Sequence, residues 1–153
     1  MQSALDITMA YAAAFEETYA DDDWSRLERY FAQDAVYEVT GGPLACRLEG
    51  RDAILAGMKK SLDTLDRRCD KRHIRLIDGP HASDTDSGGQ VAMSWHVSYE
   101  RGDAPREGFP GRSVVQVADG RITSLQDIYR DSDMEPFVAW MARYGEGLDG
   151  RYI

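Results

Sequence analysis

Carboxylates, tyrosines and three histidines are the side chains of this sequence that could move a proton. Among the carboxylates, Asp127 has the most informative position. In Ile122-Thr123-Ser124-Leu125-Gln126-Asp127-Ile128-Tyr129, strand alternation puts Leu125, Asp127 and Tyr129 on one face, and the large apolar neighbours mark that face as buried. A carboxyl group in apolar surroundings has its pKa raised, which poises it as a general acid or base. Two other readings stand beside this one: a surface Asp, if the register slips by one residue, or a pocket Asp paired with an inward arginine.

The histidines are less well placed. Gln90 to Glu100 alternates as a strand, with Met93, Trp95, Val97 and Tyr99 on one side and Ala92, Ser94, His96 and Ser98 on the other. The apolar set should own the interior, so His96 is expected on the outer face. His73 lies at the entry of a strand in Asp70-Lys71-Arg72-His73, and His81, after Gly79-Pro80, reads as a loop residue. Tyr37, Trp95, Tyr129 and Trp140 suit either a packed core or a pocket wall. There is no Ser-His-Asp order, phosphate-cradling glycine loop or HExxH. Cys46 and Cys69 stand in no CxxC and have no histidine at metal spacing, so they read as reduced, packed thiols and no metal site is expected. No cofactor is expected either.

The elements that must position these residues are legible in outline. Leu5, Met9, Ala12, Phe15 and Tyr19 recur at helical spacing, widened by Ile7, Tyr11 and Ala14. Asp21-Asp22-Asp23 ends that helix and caps a short second one with Trp24, Leu27 and Phe31 on its buried face. Ala35 to Thr40 reads as a strand and Leu44, Cys46 and Leu48 as its hairpin partner across Gly41-Gly42-Pro43. Gly50-Arg51-Asp52 opens a third helix with the stripe Ile54, Met58, Leu62 and Leu65. Three or four long strands follow, with Asp119-Gly120 as a hairpin turn between Val114–Val117 and Ile122–Tyr129. Ser132-x-x-Glu135 reads as a capping box opening a last helix, with Phe137, Trp140, Met141 and Tyr144 as its stripe. The order predicts an α+β domain over 1–153: a curved, mostly antiparallel sheet wrapped around three helices, plus a C-terminal helix flanking the mouth of an interior hollow. Such a hollow suits a small, largely apolar organic ligand.

Bulk properties narrow the partners. With 153 residues, 42% hydrophobic and 29% charged, the chain can bury a real core. A net charge of −9 argues against nucleic acid and against anionic membranes. No apolar run approaches membrane-spanning length and no basic start precedes an apolar stretch, so a cytoplasmic location is expected. The small, mildly polar face Ala92, Ser94, His96, Ser98 would cost little to desolvate and predicts a homodimer through the outer sheet face.

Three segments resemble the SnoaL-like branch of the nuclear transport factor 2-like superfamily: Asp23-Trp24 with Tyr30-Phe31-Ala32-Gln33-Asp34-Ala35-Val36-Tyr37, then Leu48-Glu49-Gly50-Arg51-Asp52-Ala53-Ile54, then Asp119-Gly120-Arg121-Ile122-Thr123 running to Asp127. The resemblance implies the cone-shaped fold and a small-molecule pocket. It aligns Asp127 with the catalytic acid of limonene epoxide hydrolase and of the polyketide cyclases, and Tyr37 with the epoxide hydrolase's water-orienting tyrosine. The cyclases' pocket histidine falls near Ser113. Dehydratase-like relatives keep a histidine early in the sheet, near His73. Other machinery is missing. The hydrolase's asparagine is Val39 here, its Arg–Asp pair is Trp95 and Val97, and the tyrosine and base of ketosteroid isomerase are Phe15 and Val39. Steroid isomerisation by that route is rejected. Two functions stay open: a cofactor-independent isomerase, dehydratase, cyclase or hydrolase using Asp127 and Tyr37, with Phe15, Trp95, Val97, Ser113 and Tyr129 around the ligand; or a non-catalytic binding or accessory module of the same fold.

Overall fold

The computed structural model describes residues 2–153. Helix α1 (Ala4–Asp21) starts on a capping box in which Ser3 Oγ accepts from the Asp6 N–H at 3.0 Å and Asp6 Oδ2 accepts from the Ser3 N–H at 3.2 Å. It ends where Asp22 turns left-handed. A 3-10 helix, Trp24–Tyr30, follows, so the expected second helix is tighter than an α-helix, and Asp23 precedes it without a side-chain capping bond. Strand β1 (Phe31–Thr40) and β2 (Cys46–Glu49) form the expected antiparallel hairpin. Helix α2 (Arg51–Thr64) buries Ile54, Met58 and Leu62 as its spacing predicts. A short turn, Asp66–Arg68, leads into four long strands: β3 (Lys71–Thr85), β4 (Gly88–Glu100), β5 (Glu107–Ala118) and β6 (Arg121–Ile128). His81 therefore lies within a strand and not in a loop. Helix α3 (Asp131–Tyr144) completes the order.

The sheet order is β2-β1-β6-β5-β4-β3. Every pairing is antiparallel except β1 with β6, which joins the N-terminal hairpin to the end of the meander. The β5–β6 turn is made by Asp119 and Gly120, both with positive φ, as a tight hairpin of this hand requires. The concave face packs against α1 and α2 around Leu27, Phe31, Ile54, Val91, Val115 and Ile122, all almost fully buried.

Two local readings are corrected. In α1 the deepest residues are Ala4, Ile7, Thr8, Tyr11, Ala14 and Thr18, whereas Met9 of the expected stripe is 42% exposed. The side carrying Ala12 and Phe15 borders a hollow, Phe15 also packing against the core beside Tyr11 and Trp24. At α3 no capping box forms. The helix begins earlier, at Asp131, which places Ser132 inside the first turn, and Arg130 at the cap position makes no side-chain bond. Asp131 Oδ1 instead accepts from the Gly42 N–H at 2.8 Å, tying the helix to the β1–β2 turn. Its buried side, Met134, Phe137 and Trp140, docks behind the cavity wall: Phe137 lies 4.8 Å from Phe109 and 5.9 Å from Tyr99 between ring centroids.

Candidate functional site

Inside the curve of the sheet lies a cavity of about 230 Å³, walled by α1, α2 and the inner faces of β1 and β3 to β6. An engineered cavity of about 150 Å³ accommodates benzene, so this one has room for a somewhat larger organic molecule. Ile74 belongs to its wall and is 48% exposed, which marks where it opens. The wall is mostly aromatic and aliphatic.

Asp127 sits on this wall, on the inner face of β6 opposite Ser113 of β5 and beside Val39 of β1. Tyr37 donates its hydroxyl to Asp127 Oδ2 at 2.6 Å, and Ser113 donates to Oδ1 at 2.6 Å. Trp95 Nε1 in turn donates to Ser113 Oγ at 2.9 Å, which fixes the serine hydroxyl as a donor toward the carboxylate. Each oxygen of Asp127 thus holds one neutral donor. No inward arginine pairs with it among the described residues. Burial pushes the Asp127 carboxyl above its ordinary range, and the bonds from Ser113 and Tyr37 pull it down by less than burial lifts it. The same burial, with Asp127 nearby, holds the Tyr37 phenol well above its usual value, so it remains a donor.

The neighbours of this group are held by shape. Trp95 and Tyr129 meet edge to face at 5.9 Å, and Gly111 permits it: a Cβ there would stand 2.7 Å from atoms of both rings. Phe15, Trp95, Val97, Ser113 and Tyr129 all contribute to the cavity wall together with Asp127 and Tyr37. The histidines do not. His96 is on the outer face, where burial and then Arg75 and Arg106 lower its pKa. His73 Nε2 lies 2.5 Å from Glu100 Oε2, and His81 Nε2 lies 3.0 Å from Asp78 Oδ2, both away from the cavity wall. On that outer face Ala92 and Ser98 are already buried, Ser98 Oγ accepting from Arg106 Nε at 2.8 Å, so less of it is free than alternation alone predicts. Trp140 belongs to the core, donating to the Pro105 carbonyl at 2.7 Å.

Two features of the cavity escaped the sequence reading. Tyr152, near the C-terminus, enters the wall and meets the Tyr37 ring edge to face at 5.3 Å. Its segment is strapped to α2 by Ser61 Oγ donating to the Gly150 carbonyl at 2.6 Å and by the Asp149 N–H donating to the Thr64 carbonyl at 3.0 Å. No periodicity signals such a strap. The other feature is a buried ion pair, Asp66 with Arg72, whose Nε and Oδ2 are 2.9 Å apart. Arg72 alternates in phase with Ile74 and Leu76, and that phase was the available signal. Burial pushes the Asp66 carboxyl up to about 6, more than Arg72 pulls it down. Arg72, served by both Asp66 and Glu16, stays charged. Among the described residues no three His, Cys, Asp or Glu side chains are arranged to hold a metal ion, and no helix is long and apolar enough to cross a membrane. Cys46 and Cys69 are unbonded.

Comparison with known proteins agrees with this architecture. The profile of a family described as SnoaL-like domain matches residues 12–125. An LEH-like epoxide hydrolase from M. tuberculosis superposes with a TM-score of 0.59 at 18% identity, over 89% of this chain and 90% of that one. TerC, co-crystallised with polyporic acid, gives 0.60 at 14% identity, over 89% and 98%. A protein of ketosteroid isomerase-like fold from Catenulispora acidiphila, in complex with trimethylamine, gives 0.56 at 20% identity, over 92% and 94%. At such identities the likeness is one of fold. No curated protein matches the chain in sequence.

Proposed function

The chain belongs to the SnoaL-like domain family, and on that premise we propose that it binds a small, largely apolar organic molecule and acts on it by proton transfer at Asp127. The observation that carries this reading is a buried carboxylate, open to an apolar cavity, with hydroxyl donors on both oxygens and no cation. Its raised pKa brings the acid and base forms closer in free energy than for a surface Asp. As base, a lone pair left free on either oxygen takes a proton from a substrate carbon or from a water. The neutral acid so formed returns the proton elsewhere, giving isomerisation, dehydration, cyclisation or hydration. Tyr37 orients the substrate oxygen or the attacking water from the Oδ2 side, and Trp95 keeps Ser113 aimed at Oδ1. Phe15, Val97 and Tyr129 supply apolar contact and exclude water.

The test uses β-tetralone and styrene oxide as probes of the two main reaction types. Proton NMR in deuterated buffer follows exchange at the ketone's α-carbon, and product analysis follows epoxide opening. The expected result is exchange or opening above the buffer rate, falling at least about 100-fold in Asp127→Asn. Catalysis that survives in Asp127→Asn sinks the assignment. A second reading is a non-catalytic binding module, favoured by the absence of any histidine from the cavity wall. Tight binding of β-tetralone with no exchange would select it.

A homodimer through the outer sheet face, around Ser94 and His96, accompanies this proposal. Sedimentation at micromolar concentration should give twice the 17.2 kDa of the chain; a 17.2 kDa species would count against it.

A further inference from the structure

The cavity has a second polar pole that proton transfer at Asp127 does not use. Asp66 and Arg72 both line it, with side chains only 8% and 9% exposed. A purely structural ion pair aims its donors at its acceptors, and this one does not. Although Arg72 Nε is 2.9 Å from Asp66 Oδ2, the N–H points elsewhere, and this buried nitrogen has no hydrogen-bond partner. Nη1 is taken by Glu16, at 3.1 Å from each carboxylate oxygen. Nη2 bonds to nothing among the described residues. Tyr99 reaches Asp66 Oδ2 only at 3.5 Å. Thr8 Oγ1, also on the cavity wall, is another buried polar atom without a partner. Unused donors and acceptors in a buried wall are costly unless something entering the cavity completes them.

This pole is well separated from Asp127. Asp127 pairs across the sheet with Ser113 and Ser113 with Met93, whereas Arg72 pairs with Tyr99. Along β4, Met93 and Tyr99 are six residues apart, with apolar wall between, yet Tyr129 and Tyr152 each lie close enough to both Asp127 and Asp66 to feel their charges, so one elongated molecule can reach both poles. The charge of the pole sets what it can hold. One guanidinium faces the two carboxylates of Asp66 and Glu16, so an organic anion is repelled, while a neutral group that both accepts and donates is satisfied by Arg72 and Asp66 together.

We propose that Arg72 and Asp66 form a second binding subsite, for a hydroxyl group at the far end of an elongated, neutral substrate. The proposal rests on Asp127 serving the other end.

Isothermal titration calorimetry with p-phenylphenol, p,p′-biphenol and p-hydroxybiphenyl-p′-carboxylate tests it. The protein should bind the biphenol about tenfold more tightly than the mono-ol, and the carboxylate more weakly than either. Arg72→Met should remove the preference for the second hydroxyl and leave the mono-ol affinity in place. Asp66→Asn/Arg72→Met should do the same; it leaves no buried carboxylate without its cation, so the test does not depend on the single variant folding. Asp127→Asn should weaken biphenol and mono-ol in parallel and keep their ratio. If it changes neither affinity while the ratio persists, the Asp127 reading fails and the subsite stands. Equal affinity for the two phenols, a ratio that survives both Arg72 variants, a carboxylate bound as tightly as the biphenol, or no binding of any of the three overturns the subsite.

Discussion

Two carboxylates are buried in the wall of one cavity by opposite means. Asp127 has two hydroxyls and no cation; Asp66 has a guanidinium at 2.9 Å and a hydroxyl only at 3.5 Å. Burial raises the pKa of both. The difference is in what each would lose with its partner. Hydroxyl donors satisfy an ionised carboxylate but follow it readily when it is protonated, because a hydroxyl can turn and accept. A guanidinium cannot turn from donor to acceptor, so Arg72 ties Asp66 to its ionised form while burial favours the neutral one. A group meant to change charge in a working cycle is better served by the first arrangement, and a fixed point of attachment by the second.

The largest effect should come from breaking the ion pair. Arg72→Met leaves Asp66 buried without its cation and should destabilise by about 3–5 kcal/mol in urea unfolding at pH 8. The loss should be smaller at pH 5, where Asp66 takes up a proton. An equal loss at both values would mean that Asp66 is not the group left stranded.

Next is the pH dependence that Asp66 itself imposes. Its folded pKa of about 6 lies above the value near 3.9 of an unfolded Asp. The folded chain therefore holds its proton to higher pH, and the stability this confers is complete below the unfolded value and lost as pH rises toward 6. By linkage the loss is about 3 kcal/mol. Asp66→Asn should flatten that stretch of the stability curve, leaving the slopes of the other groups that the fold shifts, Asp127 among them in the same direction. A slope unchanged in Asp66→Asn would contradict the assignment.

Asp127→Asn should behave oppositely to Arg72→Met. With no cation to strand, it should hold or raise the melting temperature, with a change within about 1–2 kcal/mol. A loss as large as that of Arg72→Met would erase the contrast between the two poles. Ser113→Ala should cost about 1–3 kcal/mol, because it leaves the indole N–H of Trp95 without an acceptor, and should lift the Asp127 carboxyl further, as carboxyl-carbon NMR titration would report. Smallest of all, Tyr152→Phe keeps the ring against Tyr37 and loses only the hydroxyl's bonds to Tyr37 and Ser61, which should cost about 0.5–1.5 kcal/mol.

The Asp127 pole was legible in the sequence and the Asp66–Arg72 pole was not. Strand alternation over Met93 to Tyr99 and Leu125 to Tyr129 placed Trp95, Val97 and Asp127 inward because a half-buried sheet writes its faces into the chain with a period of two. Phe15 and Ser113 came from the family resemblance instead. Arg72 shares its face of β3 with Ile74 and Leu76, which are half exposed, so no buried apolar run marks that face as inward. Asp66 lies in a short turn with no period to read. The α1 stripe differs for a related reason: spacing reports apolar residues, and it does not separate those that border a hollow, such as Ala12 and Phe15, from an exposed one such as Met9. The capping box at Ser132 was a pattern match that the tie from Asp131 to Gly42 overrode.

The parallel seam between β1 and β6 makes the Tyr37–Asp127 hydrogen bond span 90 positions of sequence. The hairpins β3–β4, β4–β5 and β5–β6 can zip locally, but that seam closes only after a long excursion whose loop entropy must be overcome first. The acid–base group is therefore expected to form late in folding, after the local hairpins. Destabilising substitutions at Tyr37 should then act on the rate of unfolding and leave the rate of folding nearly untouched, with φ-values close to zero in stopped-flow experiments, while substitutions in the β4–β5 hairpin should slow folding itself. The chain can in this way accept changes in its chemistry without altering the route by which it reaches its shape.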